Sequence, residues 1–287
     1  MKDKLSAGYC FDNNSDFLKI VRGVNLVIIR RSADSPAIHE CLEDPEKYLT
    51  ASNIIKDSRS TKAGIATLSD GRSVFIKRYN NKGLRYTLKY MFSSAKPFRT
   101  WKAAWHLEMN GIPTPRPLAA SASRTAGVLT SAYLIAESVP GVVSTIEFCR
   151  SMYENRDLQK VYAEAVSAMM SKMHDAGVYH GDTKLSNIFV SRNPKGEFSF
   201  GFWDLDSVDI RSKPIGENLR ASEIGRTVSS FIELGSKFGK TIRPDEIAGL
   251  FLKSYSPVSR IVPDLESVLR KTEKYLRKKI LNKHLHE

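Results

Sequence analysis

The chain has 287 residues, of which 41% are apolar and 26% are charged, a balance that excludes a disordered or fibrous protein. Its length is enough for one large domain or two small ones. Lys and Arg total 44 against 31 Asp and Glu, so the formal charge is +13. This excess predicts an anionic partner, and charge alone leaves nucleic acid, an acidic membrane surface and a phosphorylated substrate open.

Cysteine spacing and hydropathy indicate the cellular compartment in which the protein is expected. The three cysteines lie far apart in the chain without CxxC spacing, which favours neither a disulfide framework nor a zinc site and predicts a reducing compartment. No apolar run approaches the ~20 residues of a membrane helix, and residues 1–16 lack the apolar stretch of a signal peptide. We therefore expect a cytoplasmic protein that is able to sit on a membrane surface.

The first half of the chain is predicted to be rich in strands. An Asp-Gly pair at residues 70–71 supplies the positive-φ positions of a tight hairpin. Gly111 and Pro113 end a predicted amphipathic helix. In chain order we predict strands at 24–30, 54–55, 64–68, 73–79 and 132–137, a turn at Asp44-Pro45, and a helix over 96–110.

The second half is predicted to be mostly helical. Apolar residues recur at intervals of three and four over 158–176, with Gly177 as the stop. Two short apolar segments, 188–191 and 198–203, read as a hairpin, and helices are predicted over 222–238, 244–255 and 263–285. Strands first and helices later indicate an α+β protein with a small sheet-rich lobe and a larger helical lobe. We divide it into an N-terminal extension (1–50), an N-lobe (51–138) and a C-lobe (139–287).

The strongest chemical signal is the segment 178–190, in which Asp182 and Asn187 stand five residues apart with Lys184 two after the aspartate. This spacing matches the H-x-D-x-K-x-x-N catalytic loop of kinases. Phosphoryl transfer needs a carboxylate to orient the attacking hydroxyl, an oxygen ligand for Mg²⁺ and a cation near the moving phosphoryl group, roles that suit Asp182, Asn187 and Lys184. The alternative is a polar turn that joins a helix to a strand.

Two further motifs lie before and after this loop, in the order in which they occur along a kinase chain. Asp204 directly follows an apolar strand, where the metal-binding Asp of the DFG motif is expected, and Asp206 takes the position of its glycine, where it could help to bind a second ion. Lys77 ends the sequence Val-Phe-Ile-Lys on a predicted strand, which suits a lysine that binds the nucleotide phosphates. Taken alone, Asp204 could simply end a strand, and Lys77 could be a solvated edge residue.

Several stretches together resemble the bacterial lipopolysaccharide kinase family, the Kdo and heptose kinases. They are residues 76–80, 98–105, 111–118, 180–182 and 204–206, within a match that runs from about 44 to 230. The Gly-Ile-Pro-Thr-Pro segment after a Trp-containing helix is more specific to that family than the catalytic loop is. The resemblance implies a two-lobed protein-kinase-like fold, the cofactors ATP and Mg²⁺, and phosphate transfer to a sugar hydroxyl of the lipid A-linked core oligosaccharide.

The chain also departs from the kinase pattern. The segment 56–61 contains no glycine where a glycine-rich loop is expected. Glu108, the only acid on the helix over 96–110, is predicted to pair with Lys77, because Thr100 occupies the position where the acid is expected; a surface glutamate is the alternative. Glu137 marks the predicted nucleotide hinge, or simply the end of a strand. Only about 16 residues separate Asp204 from Arg220, which favours a small or lipid-linked acceptor over a peptide.

Basic residues concentrate in two segments, 72–102 with nine Lys or Arg and no acid, and 270–283 with seven. An anionic leaflet attracts such segments with ~1 kcal/mol per basic side chain. We expect one or both to hold the protein at the inner face of the inner membrane, while solvated helix faces are the alternative. No nucleic-acid signature and no protein partner are evident. A kinase acting on a protein or small metabolite, or a nucleotide-binding pseudokinase, remains open.

Overall fold

The computed structural model describes residues 8–80, 95–125, 128–257 and 259–284. The chain divides into two compact units. Unit 1 consists of Met1–Met109 with Pro115–Val139, and unit 2 of Asn110–Thr114 with Pro140–Glu287. Among the described residues, no helix is both long and apolar enough to cross a membrane. The three cysteines are free and buried.

Unit 1 is built on a seven-stranded antiparallel sheet in the order β1-β2-β6-β7-β5-β4-β3. The predicted hairpin at Asp70-Gly71 is confirmed, because Thr67 pairs with Ser73 and Gly71 has a φ of +84°. The strands are β1 (Phe17–Arg22), β2 (Asn25–Arg30), β3 (Asn53–Asp57), β4 (Thr61–Thr67), β5 (Ser73–Tyr79), β6 (Pro117–Thr125) and β7 (Val128–Glu137).

The residues before position 50, predicted as an N-terminal extension, contribute β1 and β2 to this sheet. They also form two short helices, α1 (Pro36–Glu43) and α2 (Pro45–Thr50). The turn predicted at Asp44-Pro45 falls at the junction of these two helices, and Pro45 itself belongs to α2. The carboxylate of Asp44 accepts from the Lys47 amide and caps α2, and the fixed φ of Pro45 suits the first helical position.

Helix α3 (Lys96–Met109) packs an aromatic face against the sheet. The rings of Phe17 and Trp105 meet edge to face with centroids 4.9 Å apart, and Trp101 is fully buried beside them. The indole of Trp101 donates to the backbone oxygen of Cys10 at 2.9 Å, so the large ring is buried without losing a hydrogen bond. These contacts join α3 to the N-terminal strands.

Unit 2 is largely helical, as predicted. Its helices are α4 (Thr145–Glu154), α5 (Arg156–Asp175), α6 (Glu217–Lys237), α7 (Pro244–Tyr255) and α8 (Leu265–His284). The short strands are β8 (Val142–Val143), β9 (Val178–Tyr179), β10 (Ile188–Arg192), β11 (Phe198–Phe202) and β12 (Asp209–Ile210). Strand β10 pairs with β11 and β8, and β9 pairs with β12. In chain order, α5 is followed by β9 and then by the loop that carries the candidate site.

The Gly-Ile-Pro-Thr segment of unit 2 braces β11. The backbone oxygen of Pro113 accepts from the Phe202 amide at 2.9 Å. A Cβ at Gly201 would lie 2.6 Å from that same oxygen and 2.3 Å from the ring of Phe189, so only glycine fits there. The segment therefore supports the strand that ends just before Asp204.

Candidate active site

The catalytic loop leaves β9 through a turn that requires glycine. Gly181 has a φ of +80°, and a Cβ there would lie 2.9 Å from the backbone oxygen of Ser207. An arginine at this position, as in many protein kinases, would be strained and would clash. The loop then runs as extended chain to a short 3₁₀ turn, Leu185–Asn187, which leads into β10.

The carboxylate of Asp182 is held by three side chains. Its Oδ1 accepts from Nε and Nη2 of Arg226, at 3.0 and 2.5 Å. Its Oδ2 accepts from Nδ2 of Asn187 at 2.9 Å and lies 3.0 Å from Nζ of Lys184. The structure thus brings together Asp182, Lys184 and Asn187, and adds an arginine that the sequence did not predict.

The charge state of Asp182 follows from these contacts. Partial burial alone would raise the pKa of its carboxyl, but hydrogen bonds from Arg226 and Lys184 outweigh burial and hold the pKa below its usual value. Asp182 is therefore a carboxylate at neutral pH. A carboxylate with a low pKa is a weak proton acceptor. It is therefore better suited to orient a hydroxyl group by a hydrogen bond than to remove the proton of that hydroxyl completely.

Asn187 is buried and oriented by its neighbours. Because its Nδ2 donates to both Oδ2 and the backbone oxygen of Asp182, at 2.9 Å each, its Oδ1 is the atom left to bind a metal ion. The backbone amide of Trp203 donates to the backbone oxygen of Asn187 at 3.1 Å. The indole nitrogen of Trp203 donates to the backbone oxygen of Ser186 at 2.6 Å. Trp203 thus joins the catalytic loop to the segment that carries Asp204.

Asp204 has an unusual backbone conformation. With φ 55° and ψ 58°, it is the one non-glycine residue with positive φ in the described part of the chain. Aspartate tolerates this left-handed region better than most residues, and such strain is common at functional sites. A 3₁₀ turn, Leu205–Ser207, follows at once and contains Asp206.

The donor set fits magnesium. The described residues hold no group of three or more His, Cys, Asp or Glu able to bind a metal on their own. Asn187 and Asp204, with Asp206 nearby in sequence, offer amide and carboxylate oxygens, the hard ligands that Mg²⁺ prefers. Because Mg²⁺ is usually bound by one or two carboxylates together with phosphate oxygens, this small set is sufficient.

A buried glutamate that the sequence did not predict supports the loop from α6. The carboxylate of Glu223 accepts from the amides of His180 and Gly181, at 3.0 and 2.7 Å, and from Nε2 of His174 at 3.0 Å. Its side chain is only 2% exposed. These bonds hold the start of the catalytic loop against the helix.

Other residues on the same face of α6 continue this support. Thr227 donates to the backbone oxygen of Thr183 at 2.8 Å, and Ser230 accepts from the amide of Leu185 at 3.1 Å. With Glu223 and Arg226 these residues follow helical spacing along one face. The spacing of these polar residues is visible in the sequence, but it does not indicate what the face binds.

The two histidines near the loop have structural roles. His174 is fully buried between Glu223 and the hydroxyl of Tyr255, as expected of a hydrogen-bonded core histidine. His180 packs on Phe202 with ring centroids 5.3 Å apart, and burial lowers its pKa although nearby carboxylates oppose this. It is therefore neutral at pH 7, in a supporting rather than a catalytic position.

Lys77 lies on β5 in unit 1 and is only 6% exposed. Its Nζ is 5.2 Å from the centroid of the Tyr79 ring, and the hydroxyl of Tyr79 lies 3.2 Å from that of Thr100 on α3. Thr100, which the sequence placed where kinases carry an acid, is therefore in contact with β5. The role of Lys77 in binding the nucleotide phosphates stays a prediction.

Glu108, predicted as the partner of Lys77, instead contacts two arginines. Arg30 donates to both of its carboxylate oxygens, at 2.6 and 3.3 Å, and Arg116 lies 3.2 Å away. The physical reason is position: Glu108 is near the end of α3, beside β2 and the start of β6. The guanidinium of Arg30 is buried, lies over the ring of Trp105 and also donates to a backbone oxygen of β6.

Glu137 ends β7 and is half exposed, with Arg116 3.9 Å from its carboxylate. Its amide donates to the backbone oxygen of Arg116 at 2.9 Å. Its role at a nucleotide hinge stays a prediction.

The glycine-free loop before β4 is closed by side chains. The Ser58 hydroxyl donates to the backbone oxygen of Thr61 at 3.0 Å and accepts from its amide at 3.2 Å. Asn80 donates to the backbone oxygen of Ser58 at 3.0 Å. Hydroxyl groups therefore take the place of glycine in shaping this turn.

The fold and the loop chemistry define an α+β phosphotransferase of the protein-kinase-like class. The model of the lipopolysaccharide kinase (Kdo/WaaP) family matches residues 45–226, more than half of the chain. The chain belongs to this family, as its sequence motifs indicated.

Named relatives agree with this assignment. The chain is 24% identical over 205 residues to a 3-deoxy-D-manno-octulosonic acid kinase of Vibrio parahaemolyticus, covering 67% of this chain and 81% of the relative. It is 23% identical over 153 residues to the lipopolysaccharide core heptose(I) kinase WaaP of Escherichia coli, covering 50% and 58%. The solved structure of WaaP in complex with acyl carrier protein covers 88% of this chain and 97% of its own at 17% identity, with a TM-score of 0.59, which shows a shared fold.

Proposed function

We propose that the chain transfers the γ-phosphate of ATP to a sugar hydroxyl of the lipopolysaccharide inner core, on Kdo or heptose. The observation that carries the proposal is the carboxylate of Asp182, held in an ionised state and in a defined orientation by Asn187, Lys184 and Arg226. Membership of the family and similarity to both a Kdo kinase and a heptose kinase support the substrate class.

In this proposal Asp182 orients the sugar hydroxyl towards the phosphate, and Lys184 neutralises charge on the group in transit. Asn187 and Asp204 hold Mg²⁺, and Asp206 assists with a second ion. The metal, when bound, neutralises charge on the phosphate oxygens.

In unit 1, Lys77 binds the nucleotide phosphates and Glu137 marks the hinge at which backbone groups bind the base. The position of Lys77 on β5, which pairs with β4 just after the hydroxyl-closed turn at Ser58, supports a phosphate-binding role for these two strands.

The short segment after Asp204 supports a non-peptide acceptor. Strand β12 begins at Asp209 and α6 at Glu217, so little chain is available to form a platform for a peptide. We infer that the acceptor is lipid-linked and that basic surfaces, including exposed residues of α8, bring the enzyme to an anionic membrane. Because the WaaP structure contains acyl carrier protein, such a protein is the second candidate partner for this chain.

The test is replacement of the proposed orienting residue. Asp182→Asn keeps the shape of the side chain but removes its charge, and we expect kcat to fall about 10²- to 10⁴-fold with Mg·ATP affinity retained. Transfer of labelled phosphate to Kdo-lipid A, heptosylated core and generic protein would be measured, with calorimetry for nucleotide binding. Asp209→Asn is the matched control, because Asp209 is exposed and contacts Arg211.

The same assay separates the alternatives. If the wild-type chain transfers phosphate only to protein, the acceptor is a protein and not a sugar. If it binds nucleotide but transfers phosphate to none of the substrates, it is a pseudokinase. Unchanged turnover in Asp182→Asn would remove the role proposed for the carboxylate.

A further inference from the structure

The hydrogen bonds to Asp182 leave no position for a substrate. A carboxylate has about four lone-pair sites. Two on Oδ1 are taken by Arg226, and two on Oδ2 by Asn187 and Lys184. A sugar hydroxyl therefore reaches the carboxylate only if one of these donors leaves.

Lys184 is the donor suited to leave. It makes one contact to the carboxylate through a flexible side chain that is 37% exposed, and its proposed role is at the transferring phosphoryl group. Once Lys184 moves to the phosphate, Oδ2 has an open position for the hydroxyl. Arg226, with two donors on Oδ1 and a side chain only 24% exposed, is suited to stay.

Arg226 is itself held by the C-terminal helix. Its guanidinium lies over the ring of Tyr275 on α8, 5.0 Å from the centroid. The Tyr275 hydroxyl lies 2.9 Å from that of Ser222, one turn before Arg226 on α6. The two helices approach closely, because a Cβ at Gly225 would be 2.8 Å from the Cβ of Lys271.

We propose that Arg226 is the residue that positions the Asp182 carboxylate during turnover, and that Tyr275 of α8 keeps the arginine in place. The inference rests on the proposed role of Asp182. It gives a function to α8, which lies beyond the matched family region, residues 45–226. A lysine cannot substitute fully, since it lacks both the planar stack and the paired donors.

The test compares Arg226→Met and Arg226→Lys with the control Arg150→Met. Arg150 also lies over an aromatic ring, that of Phe238, but on α4. Turnover of Mg·ATP would be measured with Kdo-lipid A and with water alone as acceptor. A displacement of the Asp182 carboxylate by about 1 Å should lower the rate roughly 100-fold. We therefore expect kcat of Arg226→Met to fall by that order, with the KM for ATP little changed.

Two results separate positioning from general stability. Methylguanidinium added to Arg226→Ala should restore part of the rate, whereas it should not affect Arg150→Ala. Tyr275→Phe keeps the ring and should retain most activity, whereas Tyr275→Ala should lower kcat. Thermal unfolding of each variant identifies those that fail to fold.

A crystal structure of Arg226→Met provides a readout that is independent of activity. We expect the Asp182 carboxylate to rotate away from Asn187. A folded variant with wild-type turnover, or one whose carboxylate keeps its bond to Asn187, would overturn the inference. If the wild-type chain labels no core sugar, the proposed acceptor fails, while ATP hydrolysis and the crystal structure still decide the role of Arg226.

Discussion

The side chains of His180 and Asp182, two residues apart in the catalytic loop, differ in charge state because their surroundings differ. Asp182 is partly exposed and surrounded by cations, which stabilise its negative charge. His180 is fully buried against Phe202, and burial stabilises its neutral form. The same loop therefore holds a stabilised carboxylate, the group proposed to orient the acceptor, beside a neutral ring that packs in the interior.

The buried histidine predicts a pH dependence of stability. Because the pKa of His180 is lowered in the folded state, the unfolded chain takes up a proton first as the pH falls below about 6.5. Its contribution to stability is present above that pH and lost below it. We expect the free energy of unfolding in urea to fall more between pH 7.5 and pH 5 in the wild type than in His180→Phe. An identical loss in both would contradict this assignment.

Local signals in the sequence predicted part of the side-chain cluster around Asp182. Asp182, Lys184 and Asn187 lie within six residues, so their spacing alone brings them together. Arg226 and Glu223 contact the loop from more than 40 residues away, and a polar residue on a helix resembles a solvated one until its neighbours are known. Their contacts depend on tertiary packing that no local pattern encodes.

At the scale of elements, α6 is the support of the catalytic loop. Its Glu223 accepts from two loop amides and from the ring of His174, and the His180 amide and the His174 ring are buried. The helix was predicted over 222–238, and the structure places it at Glu217–Lys237, with a start five residues earlier. The face that binds the loop could not be predicted, because the loop residues had no assigned position.

Removal of the Glu223 carboxylate should therefore be costly. Glu223→Ala leaves buried donors without an acceptor, for which we expect a loss of about 3 kcal/mol in the free energy of unfolding. Chemical denaturation measures this loss. Glu233→Ala on the same helix is the control, because Glu233 forms a more exposed ion pair with Lys279 and should cost less than about 1 kcal/mol. Equal losses would show that Glu223 is not a special support.

The strands of unit 1 show a similar limit. The hairpin of β4 and β5 was predictable from Asp70-Gly71 and from alternation. Strand β1 and helix α1 were not predicted, and their residues pack into the core of the same unit, with Phe17 and Ile38 fully buried. Arg30 looked like one more basic residue, yet it is buried and bound to Glu108.

At the scale of the whole molecule, the net charge of +13 is the dominant feature. Much of the basic segment 72–102 lies outside the described residues, as residues 81–94. In α8 the basic side chains of Arg270, Lys274, Arg277 and Lys278 are exposed. This surface favours the proposed attraction to an anionic membrane.

Vesicle sedimentation tests that attraction. We expect binding to vesicles with anionic lipid, weakened by salt, and little binding to neutral vesicles. Lys274→Glu with Lys278→Glu should weaken binding at least tenfold, since each basic side chain near the surface contributes about 1 kcal/mol. Lys160→Glu with Lys253→Glu changes the net charge equally on other helices and should weaken binding less. Equal binding to neutral and anionic vesicles would exclude an electrostatic anchor.

The most direct test of the assignment is mass spectrometry of lipopolysaccharide from the source cells with the gene for this chain deleted. We predict an inner core that lacks one phosphate, restored by the wild-type chain and not by Asp182→Asn expressed at the same level. A core with unchanged phosphate content in the deletion strain would contradict the account.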